Sequence, residues 1–147
     1  DHDAQLAQRS FHVITQVLLS LPHGRRRELG NLKEMEFFTL SILKQNEPMI
    51  VGDIQRILGI LPAQMSRIIR SLEGREEPLI NCEINPNDKR KINVRLTTAG
   101  LNALNEYLEP RVSVITSLLE KLNEDEREDL SNLLERVEDI METDLEE

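Results

Sequence analysis

With 147 residues, 39% of them hydrophobic and 3% aromatic, the chain has room for one domain, or a domain plus an oligomerisation extension, around a core of Leu and Ile. Its net charge of −9 taken whole argues against nucleic acid; no 18-residue apolar run occurs, which excludes a membrane-spanning helix. The opening DHDAQLAQRS is neither cationic nor followed by a cleavage site, so no secretory signal is expected, and a single cysteine, Cys82, closes no internal disulfide, so a reducing cytoplasm is.

Along the chain, Leu6, Val13, Ile14, Val17, Leu18 and Leu21 recur at helical spacing and predict a first helix over 5–21. Pro22, His23 and Gly24 stop it, and Arg25, Arg26 and Arg27 follow in a loop. Asn31 with Glu34 reads as a capping box for a second helix that buries Met35, Phe38, Ile42 and Leu43 and ends before Pro48. Met49, Ile50 and Val51 suit one short strand. Asp53 to Leu58 predicts a short helix with Ile54, Ile57 and Leu58 inward, stopped by Gly59. Pro62 then suits the first turn of a helix to Glu73 that buries Met65, Ile68, Ile69 and Leu72. Two short helices around a tight glycine turn make a helix-turn-helix.

Leu79 to Ile84 and Ile92 to Leu96 read as strands joined by the turn residues Asn85, Pro86, Asn87 and Asp88 and the basic run Lys89, Arg90, Lys91. This ribbon is the wing. Thr97 or Thr98 caps a long helix, with Leu96 and Leu101 spaced as a hydrophobic staple if the cap is Thr97. Pro110 is expected to kink or interrupt that helix. Asn123 with Glu126 caps a final helix that buries Leu130, Leu133, Leu134, Val137, Ile140 and Met141.

The distribution of charge reverses the argument from net charge. Residues 101–147 hold 4 Lys or Arg against 15 Asp or Glu, whereas residues 56–95 hold 8 against 5. A basic centre beside an acidic tail fits a nucleic-acid-binding lobe on an acidic scaffold. On the second helix of the helix-turn-helix, the side opposite the apolar stripe is centred on Ala63, Arg67 and Arg70 and flanked by Gln64, Ser66 and Ser71. A major groove accepts such a face, because Arg forks onto guanine and Gln pairs with adenine. At the wing tip, Lys89, Arg90 and Lys91 can meet phosphates or a narrow minor groove. Asp88 would be repelled there unless it orients a cation, either Arg90 or an arginine brought from the lobe. The plain alternative for both surfaces is a solvated face.

The stretch NPNDKRKINVRLTTAG, residues 85–100, resembles the wing signature of the MarR (multiple antibiotic resistance regulator) family, which reads Pro-x-Asp-x-Arg, a hydrophobic strand, then Leu-Thr-x-x-Gly. Pro86, Asp88, Arg90, Leu96, Thr97 and Gly100 match it. The run from Met35 to Leu72, the first helix and the two long C-terminal helices resemble the family as well. The resemblance implies a homodimer held by the first and last helices, with two winged lobes reading a palindrome in double-stranded DNA. It implies a repressor or activator, often released by a small-molecule effector. One segment departs: GREEPLINCE follows the recognition helix, with Cys82 where the family's strand carries an arginine and with Glu76, Glu77 and Glu83 near the wing.

Cys82 is expected to be a small inert hydrophobe. His2, His12 and His23 have no ligand-like spacing, so neither metal nor cofactor is expected. Arg25, Arg26 and Arg27 can touch flanking phosphates or simply be solvated. No phosphate loop, nucleophile elbow or metal-binding His pair occurs, which argues against an enzyme. Apolar positions such as Leu6, Val13, Val17, Leu118, Leu122, Leu133 and Val137 are too many for a thin monomer to hide. The reading is therefore a mainly α chain with a small β-wing (α+β) across 1–147. A winged helix-turn-helix lobe spans 32–96, and 1–24 with 97–147 form a helical dimerisation region. The competing reading is a winged-helix protein-interaction module that has given up DNA.

Overall fold

The structure, a computed structural model, describes residues 1–22 and 32–146. In chain order the elements are α1 (His2–Ser20), α2 (Glu34–Gln45), β1 (Met49–Ile50), α3 (Val51–Leu58) and α4 (Pro62–Glu73), then β2 (Ile80–Ile84), β3 (Ile92–Leu96), α5 (Thr98–Leu119) and α6 (Glu124–Glu146). They fall into two compact units, one of Pro22–Arg111 and one of Asp1–Leu21 with Val112–Glu147. The boundary lies inside α5, not at residue 97, because Leu104 and Tyr107 of its first half are buried. Arg25, Arg26, Arg27 and Asn31 lie outside the described residues.

The unit Pro22–Arg111 is the winged lobe. Its core joins Leu40 and Leu43 of α2, Ile54 of α3, Met65, Ile68 and Leu72 of α4, Ile80 and Val94 of the sheet, and Leu104 of α5. Gly59 ends α3 in the left-handed region at φ 65°, where a side chain would be strained, and Pro62 opens α4 at its first turn. The sheet order is β1-β3-β2, all antiparallel. Ile80, Cys82 and Ile84 of β2 stand opposite Leu96, Val94 and Ile92 of β3, so one face of the ribbon carries the apolar positions.

Several expectations are corrected. Val51 begins α3, and β1 is only Met49–Ile50, paired with Val94 and Asn93. Ile57 is exposed: on so short a helix the inward arc runs through Val51, Ile54 and Leu58, and Ile57 falls outside it. The buried stripe of α2 is Glu36, Thr39, Leu40 and Leu43, which leaves Phe38 exposed on the other side against Phe37. Thr39 tolerates burial because its hydroxyl donates to Met35 O at 2.8 Å. The box that opens α2 is two residues later than the spacing suggests: Lys33 N–H donates to Glu36 Oε1 at 2.9 Å, and Glu34 is the first helical residue. Pro110 does not interrupt α5, which runs unbroken across it. Beside it the Arg111 guanidinium donates to Tyr107 O at 2.7 Å while lying 3.5 Å over the Tyr107 ring.

In the other unit, α6 opens on the expected reciprocal cap, with Asn123 N–H to Glu126 Oε1 and Glu126 N–H to Asn123 Oδ1 both at 2.9 Å. Its apolar stripe is not buried within one chain. Leu130 is half-buried, while Leu133, Leu134, Val137, Ile140 and Met141 are exposed, as are Leu6, Phe11, Ile14 and Leu18 of α1.

The step from β3 into α5 explains the Leu-Thr-x-x-Gly pattern. Thr97 is the cap: its Oγ1 accepts from Gly100 N–H at 2.9 Å and donates to Pro78 O at 2.6 Å. Thr97 N–H donates to Leu79 O at 3.2 Å, so α5 starts directly against the backbone leading into β2. A Cβ on Gly100 would stand 2.1 Å from Leu79 O and 2.8 Å from Leu96 Cδ1. Gly100→Ala is therefore expected to destabilise the chain by at least the ~1–3 kcal/mol typical of overpacking, because backbone must move. Urea unfolding checks this, and an unchanged midpoint would contradict the close approach.

Candidate nucleic-acid interface

α4 turns its core stripe inward and leaves Ala63, Ser66, Arg67 and Arg70 exposed, with Gln64 half-buried beside them. Neither Arg67 nor Arg70 is ion-paired with another described residue, so both guanidiniums keep their donors for an outside acceptor. Ser71 differs from the rest of the predicted face. Its hydroxyl is committed to Glu36 Oε2 at 2.8 Å.

Glu36 is the residue that the sequence reading passed over. Its side chain is 4% exposed, yet it accepts from Lys33 N–H, from Ser71 Oγ and from the Arg75 guanidinium at 3.1 Å. Burial alone would push its pKa up. The hydrogen bonds from Lys33, Ser71 and Arg75, with the charge of Arg75, outweigh burial and hold the carboxyl below its ordinary value. One buried anion thus joins the first turn of α2, the last turn of α4 and the segment after it. A signal existed: Glu36 lies four residues before Leu40 and seven before Leu43, on the buried stripe itself.

The wing is built by asparagine and aspartate acting on nearby backbone. Asn85 Oδ1 accepts from Asn87 N–H at 2.8 Å and Asp88 N–H at 3.1 Å, and Asn85 Nδ2 donates to Asn93 Oδ1 at 3.0 Å. Asp88 O accepts from Lys91 N–H at 3.0 Å, closing the turn. Asp88 Oδ1 accepts from Arg90 N–H at 3.0 Å and Arg90 Nε at 3.1 Å, and Oδ2 from the terminal guanidinium at 3.3 Å. The partner of Asp88 is therefore Arg90. That side-chain hydrogen bond, then the backbone one, holds the Asp88 carboxyl below its ordinary value. The Arg90 side chain is nevertheless 90% exposed, with Lys89 and Lys91 exposed on either side.

Residues 32–92 match the model of the MarR family. They are a MarR-family domain. Beyond it, the chain is 24% identical over 128 residues, 86% of this chain and 91% of the relative, to the uncharacterised HTH-type transcriptional regulator YwhA of Bacillus subtilis. The transcriptional regulator Tm0710 of Thermotoga maritima shares the fold at a TM-score of 0.69 and 14% identity, covering 98% of this chain and 99% of that one. A MepR mutant of S. aureus, bound to an oligodeoxyribonucleotide, shares it at 0.58 and 20%, covering 95% and 98%. The family match, and not the lack of catalytic motifs, sets the chain apart from enzymes.

Within this MarR-family lobe, Cys82 is half-buried, and its thiol is pushed up to about 12 by burial, by a hydrogen bond to Glu73 and by the Glu73 charge. So high a value leaves almost no thiolate near neutrality. No group of three or more His, Cys, Asp or Glu able to hold a metal occurs among the described residues.

Glu36 makes a testable link to pH. Its folded pKa lies below the ordinary value of 4.5, so the unfolded chain takes up this proton more readily. The contribution is full above the ordinary glutamate range and is lost as pH falls through the folded pKa. The stability advantage of wild type over Glu36→Gln should therefore be largest near neutrality and shrink below about pH 4.5. Urea midpoints of both proteins across that range test this, and a constant difference would contradict the ionised, donor-satisfied carboxylate.

Proposed function

We propose that the protein is a homodimeric, sequence-specific regulator of transcription that binds a palindromic operator in double-stranded DNA in the cytoplasm. In this reading α4 enters the major groove and the wing tip meets the minor groove. The observation that carries it is the exposed face of α4, where Arg67 and Arg70 stand without a described ion-pair partner beside Ala63, Gln64 and Ser66. Such a face is suited to base edges and phosphates, because Arg and Gln can fork onto them. The oligodeoxyribonucleotide bound to the MepR mutant of like fold supports DNA as the partner.

The dimer is supported by the uncovered apolar stripes of α1 and α6, where Leu18, Leu133 and Val137 are each about half exposed in a single chain. Two lobes related by a two-fold axis would match a palindrome. Release by a small ligand, which the family resemblance implies, would require that ligand to prefer an arrangement of lobes that DNA does not accept.

Fluorescence anisotropy with a random duplex at two salt concentrations tests the core of the proposal. Affinity should fall steeply as salt rises, because phosphates are neutralised by Lys and Arg. No duplex binding at any salt would instead favour a protein-interaction module.

Arg67→Ala should cost on the order of 1–3 kcal/mol on a cognate operator and much less on random duplex. Equal losses on both would make Arg67 a phosphate contact instead of a base reader.

Asp88→Ala offers a test in which charge and geometry predict opposite signs. Removing an anion beside phosphates should tighten binding if simple repulsion governs the wing. The clasp on Arg90 predicts the reverse: Asp88→Ala weakens binding, because the freed guanidinium must be ordered at the minor groove. Titration of the variant on the same operator decides it, and tighter binding would overturn the orienting role.

A further inference from the structure

The end of α4 that would lead into a groove is apolar, and the side chain of the residue that caps it, Leu61, is neither buried nor bonded to the first turn. Leu61 is the cap of the helix and forms no side-chain hydrogen bond to the amides of the first turn, where Ser, Thr, Asp or Asn would. It is also 73% exposed, the most exposed of the large hydrophobic residues described. Pro62 and Ala63 follow it, both exposed. A leucine here therefore forgoes the cap and forgoes burial at one position, so stability does not account for it.

The first residues of a recognition helix are those that approach base edges. Among the groups a base pair presents in the major groove, the thymine 5-methyl is the apolar one. A leucine can gain there only by covering that methyl. Over cytosine it would strip water from the N4 amino group and offer no acceptor in return, which adds a penalty against the wrong base. Phosphates are no alternative partner, because neither Leu61 nor Ala63 carries a side-chain donor.

We propose that Leu61, shouldered by Ala63, is a specificity-determining residue that reads a thymine methyl group in each half-site. This rests on the proposed binding of α4 in the major groove and adds a base identity to it. Arg67 and Arg70, further along the same helix, would select by hydrogen bonding, and Leu61 by apolar contact.

The test begins with a duplex that the protein itself retains from a random pool. Each thymine of that duplex is then replaced in turn by uracil, which removes the methyl and leaves the Watson–Crick edge unchanged. At one thymine per half-site the wild type should lose about fourfold in affinity, the factor for one buried methyl-sized group. Leu61→Ser should bind the thymine and uracil duplexes at that position equally, with its salt dependence unaltered. Serine restores a capping side chain, so the variant is expected to fold, and circular dichroism with a thermal melt verifies this. If no thymine gives wild type a sensitivity that Leu61→Ser abolishes, the methyl-reading role is overturned while DNA binding stands. If the pool yields no bound duplex at all, the proposed function falls and this inference with it.

Discussion

Taking a carboxylate out of water is unfavourable by several kcal/mol unless donors replace its hydration, and Glu36 is out of water with three donors in place. Those donors come from separate parts of the lobe: the backbone entering α2, the last turn of α4, and Arg75 beyond it. None of the three can drift without leaving a buried charge underserved. The constraint therefore transmits from scaffold to surface. Ser71 is held from below, and the exposed Arg67 and Arg70 sit on the same helix one turn or less away. A face proposed to read DNA gains from being fixed before DNA arrives, and a satisfied buried network provides such fixing more selectively than apolar contact does.

The wing uses the same kind of solution at the surface. A turn that projects three cations is free to rearrange unless something local orders it. Asn85 and Asp88 do so by accepting from the backbone of the turn, and Asp88 then grips Arg90. At the other end of the ribbon, Thr97 and Gly100 seat α5 on the backbone before β2. The motif residues Asp88, Arg90, Thr97 and Gly100 thus brace both ends of one hairpin. The overall charge of −9 is no obstacle to an anionic partner, since the acids concentrate in residues 101–147 while the central stretch is basic.

Much of this was legible in the sequence because several elements obey local rules without competition. Gly59, Pro62 and the Asn123–Glu126 box mark helix ends where the structure has them. The stripe of α4 and the two wing strands follow simple periodicity. The second helix misled because half of its buried face is polar. Glu36 and Thr39 look like surface residues until their partners are known, and those partners at Ser71 and Arg75 are 35 and 39 positions away. Hydrophobic patterning then drew attention to Phe38, on the wrong side. Ile57 failed because a helix of eight residues offers too few turns to fix its inward arc. At Pro110 the helix continues, so the proline does not mark an end as the local rule suggests. Of the candidate interface, the exposed positions on α4 and the wing were readable, but the hydrogen bond of Ser71 to Glu36 and the choice of Arg90 as the partner of Asp88 needed coordinates.

The face of α4 held by Glu36 is proposed as the surface that reads DNA. A crystal structure of the protein with a duplex it selects would test that most directly. The expected result is α4 in the major groove, with Arg67 within hydrogen-bond distance of a base edge and Ser71 still bonded to Glu36. A duplex lying against another surface, or Ser71 turned away from Glu36 toward a phosphate, would contradict it.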